Sequence, residues 1–144
     1  TITDEEQLAG NGTLGPFTFR KLRVDAVSPQ PISSCSGPSQ VNIPVVAGGG
    51  IFRFQDGSLL TVTVAHGALC VDFVALVGRL TESYQITGGT GRFKGASGTL
   101  TLTGTVTPVL ASSPNSVVLL ANTGTFQGTI LGAAPGEDRQ DERQ

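Results

Sequence analysis

Methionine and tryptophan are missing from this sequence, and Tyr and His occur once each, as Tyr84 and His66. Without Met the chain has lost an initiator, so it reads as a processed or trimmed form. With only two cysteines and a single His, structural zinc is not expected. Charged residues are 14% of the chain, against the usual ~25%. That scarcity excludes an acidic disordered polymer or a polybasic nucleic-acid arm as the main body. No run approaches ~20 apolar residues, so no membrane-spanning helix is expected. A Gly-x-Ser-x-Gly elbow is absent, which leaves a serine hydrolase unsupported. Helical periodicity is nearly absent as well: no long window repeats apolar residues at i, i+3, i+4 and i+7 without interruption.

What the chain does have is glycine, 20 in 144 residues, roughly twice the usual ~7%. Thr, Val, Ile and Phe fill the runs between the Gly and Pro clusters, and these residues suit a pleated, half-buried surface. The expected strands are 12–14 with 17–27, 43–46, 50–55, 58–66, 68–74, 77–87, 98–106 and 117–131. Asp56-Gly57 marks a hairpin. Loops are expected over 28–40 and 108–115, where Pro and Ser gather. About eight strands joined by tight turns imply antiparallel neighbours, in a sandwich or barrel. Alternation gives each strand one apolar face and one Thr-rich face; Leu100, Leu102 and Val106 oppose the row Thr99, Thr101, Thr103 and Thr105. Glycines within the strands fit the bends that close a small barrel.

Charge divides the chain. Asp4, Glu5 and Glu6 open it, and Glu137, Asp138, Asp141 and Glu142 outnumber Arg139 and Arg143 at its end. The body between is mildly basic. This suggests an acidic N-terminal extension over 1–9, a barrel domain over 10–132 and a charged tail over 133–144. The ends are either solvated or docked on the basic body, of this chain or of a neighbour. Arg20, Lys21 and Arg23 crowd one strand, but no interleaved aromatics point to nucleic acid. Cys35 and Cys70 allow one disulfide closing ~35 residues, worth about 3.5–4 kcal/mol in the chain-entropy account. That pairing implies an oxidising compartment, with secretion to the extracellular space or periplasm; two free buried thiols are the alternative. Asn11-Gly12-Thr13 is a glycosylation sequon, relevant in a eukaryotic source.

The most distinctive stretch is Gly88-Gly89-Thr90-Gly91-Arg92-Phe93, followed by Ala96 and Gly98. Three glycines permit positive φ in a tight reversal, and Phe93 re-enters the core. Neither a dinucleotide-binding loop nor a P-loop fits this spacing. The run resembles the Gly-Gly-Thr-Gly-(Arg/Lys)-Phe…Ala-x-Gly signature of dirigent proteins and the wider allene oxide cyclase barrel group. The resemblance covers about 15 residues. It implies an eight-stranded antiparallel, calycin-like β-barrel with a central cavity, in a protein that is often secreted and oligomeric. It also implies a choice among phenoxy-radical guidance, cyclase chemistry and uncharacterised bacterial roles.

Several residues are candidates for chemistry in such a cavity. Glu82 and Tyr84 share parity with Leu80 and Ile86, so an inward face would carry a carboxyl and a phenol into the barrel together. Asp72 shares parity with Cys70 and is a further catalytic candidate. Phe52, Phe54, Arg53 and His66 are candidate ligand contacts, with His66 ending its strand on the apolar parity. These features suggest a secreted module that binds a small apolar molecule in its cavity or acts as a non-catalytic extracellular module, with no cofactor, as a homo-oligomer. A cofactor-free cyclase or isomerase, and a structural subunit assembling through its termini, are the alternatives.

Overall fold

The computed structural model describes residues 1–26, 35, 37, 41–113 and 116–134. Its strands are β1 (Ile2–Gly12), β2 (Gly15–Asp25), β3 (Val41–Phe54), β4 (Leu59–Asp72), β5 (Val77–Gly89), β6 (Ser97–Ser113) and β7 (Ser116–Leu131). They form one antiparallel meander in chain order, β1 to β7, nearly closed into a barrel. Among the described residues seven strands stand where eight were expected. The expected pieces 43–46 and 50–55 are one strand, β3, which passes through Gly48, Gly49 and Gly50 without leaving the ladder to β2. The pieces 58–66 and 68–74 likewise merge into β4 through Gly67. The run 108–113, expected as loop, continues β6 and pairs with β7 with several register irregularities.

The acidic stretch 1–9 is not an extension of the domain. It makes up most of β1 and pairs with β2 over its whole length. The reason is electrostatic as well as steric: Asp4, Glu5 and Glu6 face the cations Arg23, Arg20 and Lys21 across the ladder. The tail 135–144 lies outside the described residues.

The turns follow their sequence chemistry. Asp56 Oδ1 accepts a hydrogen bond from the Ser58 backbone N–H at 2.9 Å, and Gly57 takes φ +85 between β3 and β4. Between β4 and β5, Asp72 Oδ1 accepts from the N–H groups of Val74 and Ala75 at 2.9 and 3.1 Å. The Gly-rich reversal after β5 closes as a single 3₁₀ turn over Gly91–Phe93, and Phe93 is fully buried.

Inside, an aromatic cluster fills the barrel. Phe19 stacks on Phe52 with ring centroids 4.1 Å apart, and Phe126 meets Phe19 and Phe52 edge-on at 5.2 and 5.0 Å. Leu60, Leu80, Leu102 and Val106 complete the core. Gly50 makes this packing possible: a Cβ there would sit 2.4 Å from the Phe19 ring. The Thr row of β6 lies on the wetter face, as the alternation requires. Cys35 and Cys70 form a disulfide, with Cα atoms 5.8 Å apart. The disulfide is compatible with an extracellular setting. No helix among the described residues is long and apolar enough to cross a membrane.

Candidate functional site

Two features of the barrel interior carry chemistry: a buried charge cluster and an apolar cleft beside it. The cluster begins with parity on β2, where Phe17, Phe19, Lys21, Arg23 and Asp25 all point inward. Lys21 and Arg23 are therefore core residues, 2% and 1% exposed. Burying two cations requires partners. Lys21 Nζ donates to both carboxylate oxygens of Glu82, at 3.0 and 2.9 Å, and lies 3.3 Å from Glu6 Oε2. It also lies 3.3 Å from the Tyr84 hydroxyl. The Arg23 guanidinium divides itself among Glu6 at 2.9 Å, Asp4 at 3.1 Å and Asp25 at 2.9 Å, and stands 3.6 Å from Glu82.

β5 does turn its Glu82 and Tyr84 face inward, at 0% and 1% exposure, and the Tyr84 hydroxyl donates to Glu82 Oε2. Room for the Glu82 side chain comes from its cross-strand partner Gly67, where a Cβ would lie 3.0 Å from Glu82 Cγ. Burial pushes the Tyr84 phenol well above its usual range, and the neighbouring Glu82 carboxylate adds to the effect. Tyr84 is therefore a neutral donor at any ordinary pH. Burial also raises the Asp25 carboxyl, opposed by Arg23 and aided by Asp4, to about 6. For Arg23, burial alone would lower the guanidinium, yet the carboxylates of Glu6, Asp25, Glu82 and Asp4 leave it above its ordinary value.

The other sequence candidates scatter. Asp72 is buried, and its Oδ1 caps the β4–β5 turn rather than joining Glu82 and Tyr84. His66 is exposed, because a register irregularity between Val64 and His66 reverses the alternation that would have turned it inward. Arg53 is exposed on the outer face, at a shallow trough of about 1160 Å³ over β1, β2 and β3. Phe52 and Phe54 do lie inside, against Phe17. The sequence reading missed Lys21, Arg23 and Glu6. Their shared parity with Phe19 and Leu8 was the available signal.

The cleft lies where the meander fails to close. Among the described residues no ladder joins β1 to β7, and a cleft of about 650 Å³ runs between them. Leu8 and Gly10 line one wall and Phe126 and Ile130 the other, with Phe17, Phe52, Phe54, Leu60 and Leu100 beneath. Its polar end is Asn122, whose Nδ2 donates to Glu6 Oε2 at 2.9 Å, across the gap. That bond ties the cleft to the charge cluster. Glu82 and Tyr84 do not line the cleft; Phe126 packs against Tyr84, with ring centroids 6.2 Å apart.

No family model, curated protein or solved structure matches this chain.

Proposed function

We propose that the chain is a non-catalytic binding module that takes a small apolar molecule into the cleft between β1 and β7. The observation that carries this reading is the cleft itself: about 650 Å³, open along one seam, floored by phenylalanines, with Asn122 among the polar residues on its rim. Apolar walls with a few placed polar groups are the usual composition of small-molecule sites, and the volume is in the usual range of roughly 300–1,000 Å³. Asn122 would orient a guest carrying a single carbonyl or hydroxyl. The cyclase alternative, resting on Glu82, Tyr84 and Asp72, has weaker support. The first two are fully buried and do not line the cleft, and the third belongs to a turn. The resemblance of the Gly-Gly-Thr-Gly-Arg-Phe reversal to dirigent and allene oxide cyclase barrels fits a cavity-bearing fold and is read here as a structural likeness. Secretion and a homo-oligomeric state remain part of the proposal, the first supported by the disulfide.

The test is a fluorescence titration with 1-N-phenylnaphthylamine on the intact, oxidised chain. Saturable one-to-one binding is expected. Leu8→Trp, which fills the cleft from β1, should abolish it while leaving the far-UV spectrum unchanged. Binding that persists in Leu8→Trp would place the guest elsewhere and overturn the reading.

A further inference from the structure

The seam has a geometry that a small molecule alone does not explain. Six successive antiparallel pairings leave β1 and β7 running in the same direction. An all-antiparallel barrel cannot close on an odd number of strands. The edges of β1 and β7 that face each other therefore lack ladder partners among the described residues. Half of the backbone N–H and C=O groups on each strand point into the gap, a template for strand addition.

The width of the gap is bounded on both sides. The Cα atoms of β1 and β7 stand more than 8 Å apart over nearly all their length, so the two strands cannot pair directly. Two ladder steps need about 9.6 Å and three about 14 Å. The Glu6 and Asn122 side chains meet across the gap in a direct hydrogen bond of 2.9 Å, which a 14 Å separation would not allow. The gap is thus too wide for direct pairing and too narrow for two added strands, which leaves a single strand as the match.

We propose that the β1–β7 seam is an acceptor for one extended polypeptide strand, antiparallel to both edges, whose alternate apolar side chains enter the cleft. This rests on the reading that the cleft takes apolar guests, and it names their class as side chains delivered on a peptide backbone. Recognition is by strand addition: main-chain hydrogen bonds to both edges supply affinity, and the pockets beneath supply specificity. The register follows from the inward residues of β1. Gly12, Gly10 and Leu8 would face apolar side chains in turn, with the guest running toward Glu6. Opposite Glu6 and Asn122, whose bond already occupies the interior, the guest needs a glycine or another small residue.

The probe is a lysine-flanked peptide with the core Val-Thr-Val-Thr-Val-Thr-Gly, matching the span from Gly12 back to Glu6. It is compared with the same peptide N-methylated at alternate residues. The unmodified peptide should bind, displace phenylnaphthylamine, and slow amide exchange on both β1 and β7. N-methylation, which removes ladder donors while keeping every side chain, should weaken binding about tenfold or more. Equal binding of the two peptides, or protection confined to one edge, would overturn the proposal. If the dye binds and neither peptide does, the strand acceptor falls while the apolar site stands. If neither dye nor peptide binds, both fall. A chain that is already dimeric, with both edges protected before peptide is added, would mean that a second copy fills its own seam, and would also overturn it.

Discussion

Lys21→Met isolates the energetic role of the buried cluster. The Lys21 ammonium holds both oxygens of Glu82 at 3.0 and 2.9 Å, inside a site where neither residue is more than 2% exposed. Methionine keeps the length and apolar stem of the side chain and removes the charge. Glu82 is then left with the Tyr84 hydroxyl and with Arg23, whose Nη1 is 3.6 Å away and already engaged by Glu6. Breaking a buried pair from one side typically costs about 3–5 kcal/mol. Because Arg23 offers partial compensation, a loss near the lower end, about 3 kcal/mol, is expected. Removing both partners at once leaves no orphaned charge, so Lys21→Met with Glu82→Leu should cost less than the two single substitutions added together. Urea unfolding measures these differences. Tyr84 is the sole Tyr in a chain without Trp, so its fluorescence reports from within the cluster. A Lys21→Met cost under about 1 kcal/mol, or a double variant as unstable as the sum, would show that the cluster is solvated and refute the argument.

Other consequences follow from single sites. Asp25, at about 6 when folded against 3.8 for the free side chain, binds its proton more tightly in the native state. Its contribution is therefore full below pH ~4 and is lost as pH rises through about 6, an expected fall of about 1–3 kcal/mol. Asp25→Asn should flatten the stability profile across that interval, and an unchanged profile would contradict the assignment. Reduction of Cys35–Cys70 should add 2 Da and cost about 3.5–4 kcal/mol, read as a lower urea midpoint; an unchanged midpoint would contradict it. Gly67→Ala places a Cβ 3.0 Å from Glu82 Cγ and 3.1 Å from the Thr81 carbonyl oxygen, and should cost about 1–3 kcal/mol by overpacking. A neutral result by thermal unfolding would mean that the Glu82 side chain yields easily.

Much of the fold is legible in the sequence because local chemistry governs it. Asp56-Gly57 and the Gly88–Phe93 run dictate their reversals, and the Thr row on β6 marks its outer face. Glu82 and Tyr84 share a face by simple alternation. Strand number was harder to read, since a glycine can end a strand or merely bend one. Gly48–Gly50 and Gly67 lie within theirs and end neither. His66 escaped because a bulge is a tertiary adjustment with no marker in the residues around it. The inward cations escaped because charge on a strand ordinarily signals solvent. Their shared parity with Phe17 and Phe19 on β2, and that of Asp4 and Glu6 with Leu8 on β1, carried the contrary information.

The account depends most on a barrel that is open between β1 and β7. Residue-resolved amide exchange on the free chain tests this directly. An open seam predicts an alternating pattern on β1 and β7, in which amides bonded to β2 or β6 are protected and those facing the gap exchange rapidly, while β2 to β5 are protected throughout. Uniform protection of β1 and β7 in the monomeric free chain would mean a closed barrel, and would contradict both the cleft and the strand acceptor built on it.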